Sequence, residues 1–271
     1  DSRSADSALR PWERWAGHVG YVAEGVFYLP LGFFALLAAF GRGRPNGSTG
    51  ALAKLGGTVL GDALLALLAA GLAAFVLWKL VVAIADPEHR AQRGSTRRRV
   101  VRVGHLLDGL FHCLFVGQVV WSMFGFSRSM DETQSQVRWT ARMFALPSGR
   151  VLAALVGSGI VIFGLWQFYR ALSGDKNKRV ELRRTRFRLA ISALGVYGLA
   201  ARGTLFCLVG GYLVNASWRG DPRYSGGIAG ALGGLKQQFY GEWLLGVMAV
   251  GLLCYGLYQV VKEPFRKLSK S

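Results

Sequence analysis

Glu24, Asp108 and Arg202 recur in one context, each directly before the second of two glycines five residues apart: GYVAEG at 20–25, GHLLDG at 104–109 and GLAARG at 198–203. All three sit in otherwise apolar runs. An ionisable side chain inside a membrane-crossing stretch costs about 2.5–3.5 kcal/mol on insertion scales, so such groups face a bundle interior or a water-filled cavity and pair with one another. Two carboxylates and one guanidinium can satisfy each other as a buried triad, with one carboxylate left over. Tyr28, His112 and Phe206 follow four residues on, one turn further along the same helix face, and His105 lies three before Asp108. Glu24, His105, Asp108, His112, Tyr28 and Arg202 therefore make a candidate buried polar cluster.

Three kinds of chemistry suit that cluster. An ion-paired core would fix how parts of the chain register against each other, and this is the reading we expect. A proton or small-ion pathway uses the same residue types, because acids and histidines at depth are what relays employ. A metal or redox centre at His105 and His112 is the third, but the two stand seven apart and no HExxH-type ligand motif accompanies them. We expect no metal and no cofactor.

The elements that must position these residues are read from hydropathy. The chain has 271 residues, 52% of them hydrophobic, and a formal net charge of +18. In a soluble protein such a charge points to nucleic acid. Here the 33 Lys and Arg avoid the long apolar runs and collect between them, so no nucleic-acid partner is expected. A bilayer core about 30 Å thick needs roughly 20 mostly apolar residues in a helix. Six segments qualify, at about 18–41, 60–85, 102–126, 150–172, 190–214 and 242–262. The fold expected is an all-α integral membrane protein of six transmembrane helices. No cleavable leader is visible at the start of the sequence. Cys113, Cys207 and Cys254 lie within the expected spans and carry no CxxC spacing.

Lys and Arg in short loops are retained on the cytoplasmic side. The loops after the second and fourth spans hold five and seven of them, against three in each of the other loops. Those two loops, and with them both termini, are expected in the cytoplasm of a bacterial cell, with the spans in its inner membrane. Arg97, Arg98 and Arg99 in one loop, and Arg183 and Arg184 in the other, are placed to meet anionic lipid headgroups.

The spans also repeat. The second helix of each pair carries two glycines ten apart and an aromatic seven further on: Gly61, Gly71 and Trp78; Gly149, Gly159 and Trp166; Gly241, Gly251 and Tyr258. Phe75, Phe163 and Tyr255 fall in register, as do Lys79, Gln167 and Gln259. Trp78, Trp166 and Tyr258 near the inner helix ends suit an interfacial aromatic belt. Asp62, Arg150 and Glu242 begin the second helices, where the two acids suit a helix N-terminus. The units are a cytoplasmic segment at 1–17, repeats at 18–89, 100–173 and 190–262, and a cytoplasmic tail at 263–271. Each repeat runs in, out and in again, so the copies are parallel and are expected to close with pseudo-threefold symmetry.

The G-Y-x-A-x-G-V-x-Y pattern of Gly20, Tyr21, Ala23, Gly25, Val26 and Tyr28 is accompanied by A-L-x-x-L at Ala51, Leu52, Leu55 and again at Ala231, Leu232, Leu235. Together they resemble the bacterial domain-of-unknown-function family numbered 1206, over roughly 15–262. The resemblance implies triple-repeat, six-span membrane proteins of unassigned activity. In that family an Arg commonly precedes the second glycine; Arg202 matches, whereas Glu24 and Asp108 depart from it.

No nucleophile elbow, phosphate loop or paired-cysteine set is present, so no enzyme is expected. The function expected is a non-catalytic accessory or scaffold subunit of a membrane assembly, meeting a membrane-protein partner or further copies of itself. The alternative is a proton or small-ion transport protein working at Glu24, Asp108 and Arg202.

Overall fold

The structure is a computed structural model and describes residues 11–42, 45, 132–172 and 188–262, together with 63, 66, 67, 69–77, 109, 113 and 117. The expectations for His105, Asp108, His112 and Trp78, and for Arg97, Arg98, Arg99, Arg183 and Arg184, fall outside the described residues. The helices are α1 (Pro11–Ala39), α2 (Glu132–Phe144), α3 (Gly149–Leu172), α4 (Arg188–Arg219), α5 (Gly227–Lys236) and α6 (Gly241–Lys262), with a 3-10 turn at Pro222–Tyr224. Among the described residues there is no strand. Four stretches are long and apolar enough to cross a membrane: Val19–Ala39, Gly149–Leu172, Leu189–Arg219 and Gly241–Val261. They coincide with the first, fourth, fifth and sixth expected spans. The chain is a helical protein of membrane type.

α1 and α4, the first helices of the first and third repeats, stop in the same way. Gly41 and Gly220 take the left-handed conformation, with φ of 74° and 68°. The amides of Arg42 and Asp221 then reach back to the carbonyls of Leu37 and Ala216, at 2.9 and 3.1 Å. Only glycine adopts that φ without a Cβ clash, which is why it terminates helices this way.

Packing follows the small residues. α1 lies on α6, while α4 lies on both α3 and α6. Within the first repeat Gly20 meets Phe75 and Gly71 meets Ala23; within the third, Gly198 meets Tyr255 and Gly251 meets Ala201. These are matching columns of the sequence repeat making matching contacts. Contacts between repeats match too. A Cβ on Gly25 would stand 2.7 Å from the Gly256 carbonyl oxygen, and one on Gly203 2.8 Å from that of Gly164. Gly32 rests on Ala249 and Leu253, as Gly210 rests on Gly157 and Val161. Lipid gives helices no hydrophobic reason to associate, so close backbone approach at small residues supplies the packing.

The end of the bundle away from the start of α1 and the end of α6 is capped by short helices. α5 carries the A-L-x-x-L motif and buries Ala231 and Leu232 completely. Lys236 at its end donates to the Ala38 carbonyl at 2.7 Å, placing a cation on the C-terminal end of α1. Arg150 does the same for α4, donating to the carbonyls of Ser217 at 3.2 Å and Trp218 at 3.1 Å. This explains the one basic member of the column in which an acid was expected to suit a helix N-terminus. Glu242 stands in the first turn of α6 as that reasoning anticipates. Asp221 caps the 3-10 turn, and the side-chain hydrogen bonds from Arg223 hold its carboxyl below the usual carboxylate range.

One aromatic expectation is corrected. Tyr258 is 4% exposed and packs on Ile191 and Leu194, so it is a helix–helix contact and not a lipid-facing belt residue. Gly195 admits its ring closely enough that a Cβ there would collide with it. Trp166 is partly buried and stacks on Tyr169, with ring centroids 5.2 Å apart. Among the described residues most exposed aromatics gather at the opposite end of the bundle, Phe40, Trp139, Trp218, Phe239, Tyr240 and Trp243 among them, while Tyr169 is exposed beside Trp166.

Candidate functional site

The middle of the bundle holds one polar group, built by α1, α4 and α6. Glu24 and Arg202 are 1% and 0% exposed, and Arg202 Nη1 stands 3.2 Å from Glu24 Oε1. The expected pairing of Glu24 with Arg202 is present. Tyr28, one turn after Glu24 on α1, belongs to the same group: its hydroxyl accepts from Arg202 Nε at 2.9 Å. From α6, the Tyr255 hydroxyl accepts from Arg202 Nη1 at 2.8 Å and donates to Glu24 Oε1 at 2.6 Å. Gln259 Nε2 reaches the second carboxylate oxygen, Glu24 Oε2, and also the Tyr255 hydroxyl at 2.7 Å.

Aromatic rings enclose the guanidinium. Its central carbon lies 4.9 Å from the Tyr255 centroid, 5.2 Å from Phe206, 5.3 Å from Tyr28 and 5.6 Å from Phe163. Ring faces attract a cation most where water is excluded, at about 2 kcal/mol for a desolvated contact. Hydrogen bonds to charged groups are also the stronger class, at about 1.5–3 kcal/mol each. Such contacts offset the cost of carrying both charges into an apolar bundle. The arrangement is that of a buried ion pair, hydrogen-bonded along its length, and it ties the first repeat to the third.

Of the six residues expected to cluster, Glu24, Tyr28 and Arg202 meet, and the other three fall outside the described residues. Tyr255 and Gln259 belong to the centre although the sequence placed them only in neighbouring repeat columns. Their four-residue spacing sets both on one face of α6, the signal that could have joined them to Glu24.

Gln167 occupies in α3 the column of Gln259 in α6. It is fully buried, its Oε1 accepts from Arg170 Nη1 at 3.1 Å, and its Nε2 has no hydrogen-bond partner. The repeat explains this. Gln259 finds two acceptors, the Glu24 carboxylate and the Tyr255 hydroxyl; the matching residues for Gln167 are Arg202 and Phe163, neither of which accepts. Among the described residues no three His, Cys, Asp or Glu side chains group as metal ligands.

Comparison with known proteins identifies relatives of the chain. It is similar to the uncharacterized protein YxxB of Bacillus subtilis (strain 168), 29% identical over 265 residues that span 96% of this chain and 94% of that one. No solved structure matches. The model of the family described as Domain of Unknown Function (DUF1206) matches three times, at residues 19–86, 103–174 and 197–262. The three matches coincide with the three repeats expected from the sequence and take in Glu24, Tyr28, Arg202, Tyr255 and Gln259, so the chain belongs to the DUF1206 family.

Proposed function

We propose that this protein is a non-catalytic accessory or scaffold subunit of a membrane assembly, with six spans arranged as three parallel hairpins around a pseudo-threefold axis. Both termini face the cytoplasm and the spans lie in the bacterial inner membrane. The observation that carries the proposal is the internal use of the central charges. Glu24 and Arg202 engage each other and Tyr28, Tyr255 and Gln259 in a buried site. Such a centre holds helices in register. It offers a substrate or a travelling proton no exposed group.

Two further features support the reading. The inter-repeat contacts of α1 on α6 recur in α4 on α3, as a closed ring requires. α3 also presents a long apolar outer face, with Val151, Leu155, Ile162, Leu165 and Leu172 exposed to lipid or to a partner helix. In the register of the repeat, Lys79 stands to Asp108 as Gln259 stands to Glu24.

The test has two arms. Membranes solubilised in mild detergent are expected to give a defined complex heavier than the 29.5 kDa single chain. Proteoliposomes of the wild type are expected to pass protons no faster than empty liposomes. A strictly monomeric protein whose proton flux exceeds background, and loses that excess on Glu24→Gln, would replace the scaffold with the transport alternative.

A further inference from the structure

α2 differs from the other helices of this membrane protein in being polar overall, and its exposed face is graded. Thr140 is buried beneath it, and the helix packs on α3, α5 and the 3-10 turn. Around the opposite arc, at 3.6 residues per turn, Gln134 and Ala141 come first, Arg138 and Arg142 next and Trp139 last, all of them exposed. Trp139 is 65% exposed, and the Arg142 guanidinium lies 5.3 Å from its ring centroid. Just past the helix end Leu146, 55% exposed, adds to the apolar edge. Glu132, the one acid of the helix, stands in its first turn.

The position of α2 gives the grading a direction. Only the short turn 145–148 separates it from Gly149, where the apolar span of α3 begins. The helix therefore lies at the rim of the membrane-crossing bundle, at the end where Trp218, Phe239 and Trp243 are also exposed. A basic row with an aromatic edge on one side and only Gln134 and Ala141 on the other suits an interface, with the phosphate at the row and the acyl chains at the aromatic edge.

We infer that this face of α2 is a docking surface for the phosphate of an anionic phospholipid, with Arg138 and Arg142 on the phosphate and Trp139 at the acyl boundary. The surface lies at the end of the bundle opposite Leu172 and Arg188, where α3 ends and α4 begins. Its partner is argued from charge complementarity and from this layering.

Fluorescence quenching in vesicles tests the proposal at α2 itself. The Trp139 contribution is taken as wild type minus Trp139→Phe. Brominated phosphatidylglycerol is expected to quench it at a lower mole fraction than brominated phosphatidylcholine. In R138Q/R142Q the half-quenching fraction for phosphatidylglycerol should rise about ten- to thirty-fold, the worth of two basic side chains at an anionic surface. Phosphatidylcholine quenching should stay unchanged, and R142Q alone should give an intermediate rise. Equal quenching by the two lipids in the wild type, or an unchanged preference in the double variant, overturns the proposal. Loss of the preference on adding inorganic phosphate to the buffer also overturns it, since the site would then belong to a free anion.

Discussion

Arg202 is the residue on which the centre converges, because a planar guanidinium can donate in several directions at once while rings stack on its faces. It donates to Tyr28 and Tyr255 and pairs with Glu24, all from two other helices. Removing either charge takes an ion-pair partner from the other in a buried site, a loss of about 3–5 kcal/mol. R202A and E24A are each expected to destabilise on that scale, and E24A/R202A by clearly less than the sum of the two. R202K should recover only part of the loss, since a point charge cannot span all three acceptors. Denaturant unfolding in detergent, followed by circular dichroism, checks all four variants. Strict additivity would mean that the two charges do not stabilise each other. The sequence marked Glu24 and Arg202 because ionisable residues inside apolar runs are conspicuous. It did not mark Tyr255 and Gln259, whose contact with Glu24 crosses from the second helix of the third repeat to the first helix of the first. A repeat column gives depth in the bundle, but not which face meets which neighbour.

At the scale of helices, glycine decides how near two backbones come. The α1–α6 and α4–α3 interfaces place Gly25 and Gly203 against carbonyl oxygens, at 2.7 and 2.8 Å from where a Cβ would stand. A carbonyl in a helix cannot rotate aside, so an alanine at either position must push the helices apart. G25A and G203A are expected to cost similar amounts, about 1–3 kcal/mol as for other overpacked cores. G211A, also within α4 but with nothing within 4 Å, is expected to be neutral or to stabilise by up to about 1 kcal/mol from helix propensity. Unfolding midpoints of the three variants measure this directly. If G211A proved as damaging as the other two, close packing would not be the reason these glycines matter. The four described spans were legible as apolar runs, and their glycines as repeat columns. The place of the aromatic belt was not, because an aromatic near a helix end can as well fill a helix–helix contact. Tyr258 does so over Gly195, whereas Trp218 and Trp243 at the other end lie open.

The molecule as a whole is constrained by the rule its interfaces share. The first helix of the first repeat, α1, packs on the second helix of the third, α6; the first helix of the third, α4, packs on the second helix of the second, α3. Both of these first helices thus take the second helix of the preceding repeat, counted cyclically. The same rule predicts one further interface, between the first helix of the second repeat and the second helix of the first. In the two observed interfaces Gly256 contacts Leu29 and Gly164 contacts Cys207. The matching pair in the third is Val76 and Cys113. An otherwise cysteine-free chain keeping Cys113, with Cys207 and Cys254 replaced by alanine and Val76→Cys added, is therefore expected to form an intramolecular disulfide on mild oxidation in membranes. The product should run faster on non-reducing gels, and a cysteine at the lipid-facing Leu67, 71% exposed, should give no such band. An open arrangement would leave position 76 no closer to Cys113 than position 67, and the two variants would then behave alike. A disulfide confined to position 76 would close the ring, fixing Glu24, Asp108 and Arg202 at one depth around one axis.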